Sequence, residues 1–193
     1  ADLVGCLGVK EDRPLRDLVT RLREGNTRGC VQEIANQLGL PVRIDLSYVS
    51  QGRSHAGIER RDANGFRSTH LARVDRNGRA LEGITAQVEI PQDLPLFGTS
   101  SLQEYRIEVR VSKDCRAQPY TFIAVIAHEL SHVLLSSLWS PHRKSELHTD
   151  LVPILLGFRN AVRKGRKVVE NWATGDTVLA QTTTYGYLTD TQF

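Results

Sequence analysis

The segment His-Glu-Leu-Ser-His at positions 128 to 132 contains the residues of this chain that are best suited to chemistry. On a helix with 3.6 residues per turn, His128 and His132 lie about 40° apart around the axis and one turn apart along it, so both imidazoles can bind one metal ion. Glu129 lies about 60° from His132, close enough to hydrogen-bond a water held by that ion. The spacing therefore predicts a zinc ion that acidifies water and a carboxylate that takes the proton.

The residues around this segment predict that it lies on a buried helix. From Phe122 to Leu138 the chain is too apolar for a surface helix, and the residues next to the motif are uncharged. Buried ionisable groups need a partner or a metal, because an unpaired charge is costly to remove from water. We therefore favour a metal site over histidines that are simply satisfied within a core.

A catalytic zinc site takes three protein ligands and keeps one position for water, so a third ligand is needed. Ser140-Pro141 predicts the start of a second helix, on which Glu146 and Asp150 fall four residues apart on one face. The Glu-x-x-x-Asp pattern over 146–150 resembles that of the gluzincins, the thermolysin-like zinc peptidases. The similarity covers residues 103–158 and includes the order of the parts, namely an edge strand, a His-Glu-x-x-His helix and a second ligand helix.

This resemblance implies a role for each residue of the pattern. His128, His132 and Glu146 would bind zinc, Glu129 would act as general base, and Asp150 would orient a ligand histidine. Helical geometry agrees on the third ligand, because His148 lies about 160° around the helix from both Glu146 and Asp150. The longer Glu side chain also reaches across a gap between helices more easily than Asp does.

Two features depart from the family pattern. Pro153 falls inside the second helix and should kink it, because proline removes a backbone donor. The residue that stabilises the oxyanion is not evident, and the candidates left open are Tyr185, Tyr187, His142 and His148.

The fold class that we predict is α+β and zincin-like, with a small twisted sheet packed on the buried motif helix and a second ligand-bearing helix. Apolar spacing over residues 14–39 predicts two helices with a break at Gly25-Asn26. We expect a single domain over residues 1–193, with N-terminal helices and a β-rich part in 1–100 and the zinc-site part in 101–193.

Alternating apolar residues predict strands near residues 42–48, 84–90 and 105–111, and Asn77-Gly78 suits a hairpin turn. Residues 51–65 are rich in Gly, Arg, Ser and Asp and predict an exposed loop. If the protein is a peptidase, residues 103–112 would form an edge strand that pairs with an extended substrate.

The composition shows none of the signs of a disordered, collagen-like or disulfide-scaffold protein. The chain has 193 residues, 40% hydrophobic and 24% charged, with a net charge of +3, which is ordinary for a globular domain. The basic run between Arg159 and Lys167 predicts a solvated helix face rather than a nucleic-acid contact. Cys6, Cys30 and Cys115 are too far apart for a Cys-x-x-Cys site, so we expect reduced thiols.

No stretch approaches the roughly 18 apolar residues of a spanning helix, so we expect no membrane span and a cytoplasmic location. The chain begins at Ala1 and contains no methionine, as expected if a leader or a domain has been removed. A leader would direct the protein to a different compartment.

The expected function is that of a zinc-dependent hydrolase, a peptidase acting on a peptide or protein, with no nucleic-acid partner. The alternative is a binding or regulatory protein with a structural zinc ion, in which His142 or His148 fills the water position.

Overall fold

The structure is a computed structural model that describes residues 3–49, 57–61, 65–76, 79–174 and 177–188. It is a mixed α+β structure in which helices accompany one sheet. The helices are α1 (Leu3–Leu7), α2 (Arg16–Arg23), α3 (Thr27–Leu38), α4 (Ser100–Glu104), α5 (Lys113–Arg116), α6 (Pro119–Ser137), α7 (Glu146–Pro153), a π-helical turn (Ile154–Phe158) and α8 (Arg159–Gly165). The strands are β1 (Arg43–Val49), β2 (Gly57–Arg61), β3 (Gly65–Arg76), β4 (Arg79–Pro91), β5 (Arg106–Ser112), β6 (Lys167–Thr174) and β7 (Thr177–Thr184). Within these ranges, none of the helices is long and apolar enough to cross a membrane.

The two predicted N-terminal helices are confirmed as α2 and α3. Each buries an apolar face, represented by Leu18 and Leu22 on α2. Between them, the side chain of Asn26 accepts a hydrogen bond of 3.0 Å from the amide of Gly29 and caps α3. Gly39 ends α3 in the left-handed conformation, with a φ of 78°, which glycine adopts without a steric penalty.

The described strands form one sheet in the order β1-β5-β4-β3-β7-β6, and β2 also pairs with β3. β1 runs parallel to β5, and the other pairs are antiparallel. The predicted strands near 42–48, 84–90 and 105–111 are confirmed as β1, β4 and β5. Arg76 pairs with Arg79, as a two-residue hairpin requires, while the Asn77-Gly78 turn itself lies outside the described residues.

The prediction of an edge strand over residues 103–112 is wrong. β5 lies between β1, to which it pairs over its whole length, and β4. Residues 103 and 104 belong to α4. β1 occupies one side of the whole of β5, and β4 pairs with residues 109–111 on the other side, so β5 does not present a free edge of the sheet to an added strand.

The prediction of a loop over residues 51–65 is wrong in part. Residues 57–61 form β2, which pairs antiparallel with residues 65–69 of β3. The sequence of β2, Gly-Ile-Glu-Arg-Arg, has no apolar alternation, so the strand depends on its pairing with β3 and not on a pattern of its own. Apart from Gly65, the rest of the segment lies outside the described residues.

The motif helix α6 crosses the core, as predicted. Pro119 starts it at a position where a backbone N–H is not needed, and nearly every later residue is buried. It contacts β3 and β4 of the sheet together with α3, α7 and α8. A helix that is buried on all sides holds its polar side chains where only internal partners or a bound ion can satisfy them.

The predicted kink is present but lies at Gly157, four residues beyond Pro153. α7 ends at Pro153, which keeps a helical φ of −58°, and the chain continues as the π-helical turn, in which Gly157 has a φ of 93°. The change of direction brings the turn against the N-terminal segment, where the amide of Arg13 donates to the carbonyl of Gly157 at 2.8 Å. In the basic run that follows, Arg159, Arg163 and Lys164 are exposed on α8, as predicted, whereas Lys167 begins β6.

Candidate metal centre

The second ligand helix begins at Glu146 and not at Ser140-Pro141, so the predicted start is wrong. Ser140 does accept a hydrogen bond from the amide of His142, at 3.2 Å, but residues 141–144 form a turn that does not continue as a helix. The carbonyl of Arg143 is therefore available to a side chain. It lies 3.1 Å from Nδ1 of His132.

The structure brings together the three residues predicted to bind the metal. Nε2 of His128 and Nε2 of His132 lie 3.1 Å and 3.3 Å from the same oxygen of Glu146, Oε2. The three potential ligand atoms all lie within 4.8 Å of one another. Two imidazole nitrogens and a carboxylate oxygen at such distances form a group that could hold a metal ion.

Each imidazole is oriented by a hydrogen-bond acceptor that faces its Nδ1 atom. Nδ1 of His128 lies 2.6 Å from Oδ1 of Asp150, and Nδ1 of His132 faces the Arg143 carbonyl. Because a carbonyl and an ionised carboxylate only accept, each Nδ1 carries a hydrogen, and Nε2 is the ring atom of each histidine that faces Glu146 and could bind a metal after losing any proton it carries. Asp150 thus lies where the resemblance expects a residue that orients a ligand histidine, and the backbone of Arg143 does the same for the second histidine.

The carboxylates dominate the electrostatics of the site. Burial opposes the charged form of His128, yet Asp150 and Glu146 raise its pKa to about 10. Burial alone would also raise the pKa of Glu146, but hydrogen bonds from both histidines hold it well below its ordinary value. A metal ion that binds Nε2 of His128 takes the place of a proton, so metal binding here releases protons.

Glu129 is fully buried, with an exposed fraction of 0%, and faces β3. Burial, with a contribution from the charge of Glu146, raises its pKa to about 8, although His128 opposes this. The Ser68 hydroxyl and the backbone of His70 are close enough to lower the pKa, but neither oxygen of Glu129 has a hydrogen-bond partner in the described part of the chain. A carboxyl group poised near neutrality can both accept and return a proton.

His70 is a residue of the site that the sequence analysis missed. It lies on β3 with an exposed fraction of 2%, and its ring meets that of His128 edge to face, with centroids 5.0 Å apart. Burial, assisted by the charge of His128, lowers the pKa of His70 to about 3, so its imidazole is neutral. No local pattern could have identified it, because its place in the site results from the packing of β3 against α6.

The four candidates for oxyanion stabilisation differ in their position relative to the three-residue metal group. The ring of Tyr187 stacks on His128, with centroids 5.7 Å apart. Tyr185 is partly buried and packs against the core, and its backbone amide donates a hydrogen bond to the backbone carbonyl of Arg166. His142 and His148 stack on each other at 3.9 Å and do not belong to the three-residue metal group.

A cavity of about 670 Å³ opens beside this group. Its lining includes Phe66, whose ring lies 6.3 Å from that of His132, and Arg143, whose carbonyl faces His132. Trp139 also lines it, with an exposed fraction of 70% and a φ of 52° that is unusual for a bulky residue. The volume is in the range of cavities that hold small ligands or single side chains.

No protein-family model matches the chain, and comparison with curated proteins and with solved structures also found no match. What the site can do follows from its own residues.

Proposed function

We propose that this chain is a zinc-dependent hydrolase, a peptidase of the gluzincin type. The observation that supports it most is the convergence of two Nε2 atoms on one oxygen of Glu146, while acceptors behind the rings hold both Nδ1 atoms. Two neutral imidazoles and a glutamate are the ligand set of thermolysin-like catalytic zinc sites.

The residues fit a metal ion by their burial and by their chemistry. His128 and His132 are buried, and the second oxygen of Glu146 has no hydrogen-bond partner among the described residues. Within the described ranges, no fourth His, Cys, Asp or Glu joins the group, which leaves a position for water or substrate. A bound zinc ion would supply Lewis acidity, which lowers the pKa of water and polarises a carbonyl.

Glu129 is the proposed general base. It would take a proton from the attacking water and return it to the nitrogen of the leaving amine. Its buried position raises its pKa above that of an exposed glutamate, which makes its carboxylate a stronger base. Asp150 and the Arg143 carbonyl would keep the two imidazoles in position throughout.

A peptide is the proposed substrate, and the cavity beside His132 is the proposed place for a side chain next to the scissile bond. Phe66 and Trp139 offer aromatic surface there, and Ile90 adds an aliphatic one. Substrate pairing along β5 is not part of this proposal, because β5 lies inside the sheet between β1 and β4.

Metal analysis of the purified chain combined with a peptide-library digest tests the proposal. We expect one zinc ion per chain, cleavage that is lost on chelation and restored by zinc, and no cleavage by Glu129→Gln that still contains zinc. Stoichiometric zinc without turnover would favour the structural-zinc alternative instead. Absence of zinc from a folded wild-type chain would refute both.

A further inference from the structure

A second cavity, of about 710 Å³, is lined by five basic side chains that sequence order alone would not group. Arg13, Arg16 and Arg23 come from α2 and the segment before it, and Arg163 and Lys164 come from α8. None of the residues that line this cavity is acidic. The structure therefore concentrates positive charge at one place in a chain whose net charge is only +3.

The cavity is separate from the metal centre. Tyr120, at the start of α6, is its contribution from the motif helix. His128 follows Tyr120 by eight positions on the helix, a distance of about 12 Å along the axis. None of the three metal-binding residues lines the cavity.

The contacts of these cations are with neutral groups. Arg13 donates to the carbonyl of Leu156 at 3.3 Å, Arg163 donates to Asn160, and the ammonium of Lys164 lies over the ring of Tyr120. In the described part of the chain, none of the five forms an ion pair with a carboxylate. None of these five charges is thus neutralised by an ion pair in the described ranges, which favours an anion in the cavity.

The start of α2 adds to this potential. Pro14, Leu15 and Arg16 line the cavity, and no side chain caps the eight-residue helix at Leu15. The backbone N–H groups of a first helical turn and the helix dipole both favour a negative charge at this end. Asp17 lies in the same turn but does not line the cavity.

We propose that this cavity binds a compact polyanion with several phosphate groups, in the chemical class of a nucleoside triphosphate or an inositol polyphosphate. Four arginines offer planar forks that match phosphate oxygens in pairs. The volume is that of a small-molecule site. A single-stranded nucleic acid is usually held by a row of stacking aromatic rings, whereas the one aromatic side chain of this cavity, Tyr120, has Lys164 over its face.

Titration calorimetry of the full chain at about 0.15 M salt, where exposed charges are already screened, tests the proposal with three probes. These are ATP, inositol hexakisphosphate and a single-stranded DNA oligonucleotide. We expect saturable binding of at least one polyphosphate with one site per chain. The polyphosphate that binds more tightly shows whether the ligand class is a nucleoside triphosphate or an inositol polyphosphate.

Two double variants, each of which removes two exposed positive charges, make the test specific. Arg16→Gln with Arg163→Gln alters the cavity, whereas Arg28→Gln with Arg159→Gln alters exposed residues outside it, Arg159 being on the same helix as Arg163. We expect the first pair to weaken binding at least about 10-fold and the second pair less than about 2-fold. Chelation of a bound metal by a polyphosphate would be equal in both, so the difference isolates the cavity.

Three results would overturn the proposal. One is no saturable binding of either polyphosphate to the wild-type chain, and another is an equal loss of affinity in the two double variants. The third is tighter binding of the oligonucleotide than of both polyphosphates, which would assign the basic residues to nucleic acid.

Discussion

Asp150 and His128 are joined by a contact of 2.6 Å between Oδ1 and Nδ1, and the other oxygen of the same carboxylate holds a different part of the chain. Oδ2 of Asp150 accepts hydrogen bonds from the backbone amides of Tyr187 and Leu188, at 2.6 Å and 3.0 Å. Burial alone would raise the pKa of Asp150, but the charge of His128 and the hydrogen bonds from His128 and the Tyr187 amide lower it. One carboxylate therefore connects the motif helix to the segment that follows β7.

Asp150→Asn should weaken zinc binding by about 10- to 100-fold, because it disturbs a ligand without removing one. It should also lower the free energy of unfolding by about 1–3 kcal/mol. An amide has one accepting oxygen, so its NH₂ group must face either His128 or the two backbone amides, all of which are donors. Zinc competition with a chelator and urea unfolding measure the two effects.

The matched control for this prediction is Asp12→Asn, which removes the same charge from an exposed residue and should change neither quantity. Complete loss of zinc from a normally folded Asp150→Asn protein would instead make Asp150 a direct metal ligand.

Glu129→Gln should retain zinc and the fold but reduce peptide hydrolysis by about 10²- to 10⁴-fold. Glutamine fills the same buried space, but its amide cannot take a proton from water. Zinc content, thermal melting and cleavage of the best library peptide are the measurements. Comparable activity in the variant and the wild type would remove Glu129 from the mechanism.

Glu146→Ala should reduce zinc to well below one ion per chain, because Oε2 of Glu146 is where both Nε2 atoms converge. His148→Ala should leave zinc bound, since His148 stacks on His142 and its Nδ1 lies 2.7 Å from the Ser145 hydroxyl. Zinc analysis of both purified variants tests this pair. If the two outcomes are exchanged, the proposed ligand set is wrong.

Gly157→Ala should destabilise the fold by about 1–3 kcal/mol more than Gly8→Ala does. Both glycines have a positive φ, so each alanine variant bears a similar backbone penalty. A Cβ at Gly157 would also lie 2.4 Å from the carbonyl oxygen of Glu11, whereas a Cβ at Gly8 would meet nothing within 4 Å. Urea unfolding measures the difference, and equal losses would show that the contact with Glu11 relaxes without cost.

Alkylation at pH 8 should modify one cysteine of the native chain. Cys6 is exposed, while Cys30 and Cys115 are buried. Burial raises the pKa of the Cys30 thiol to about 12, which leaves a thiolate fraction of about 10⁻⁴ at that pH. Intact mass should show one adduct under native conditions and three in denaturant. Rapid native labelling of two or three cysteines would contradict the burial.

The features that the sequence predicted correctly have local causes. The break between α2 and α3 follows from Gly25-Asn26, and the placement of His128 and His132 on one buried helix follows from their spacing and their apolar neighbours. The grouping of Glu146 with both histidines agrees with the helical spacing of the second segment.

The features that it missed depend on residues far apart in the chain. The position of β5 inside the sheet depends on pairs such as Ile44 with Ile107. His70 enters the site because β3 packs against α6. The acceptor for His132 is a backbone carbonyl, that of Arg143, which the type of residue does not reveal. Such relationships require the tertiary structure, since neither composition nor periodicity encodes them.

The double contact of Asp150 has a consequence for the order of events during synthesis. The motif helix and the residues that supply the three ligand atoms leave the ribosome before Tyr187 and Leu188, which follow Asp150 by 37 and 38 positions. A nascent chain whose residues 187 and 188 are still inside the ribosome already contains His128, His132 and Glu146. It lacks the two backbone amides that donate to the Asp150 carboxylate. In a chain that binds the proposed ion, the complete set of hydrogen bonds to the Asp150 carboxylate would therefore form only after the segment that follows β7 has docked.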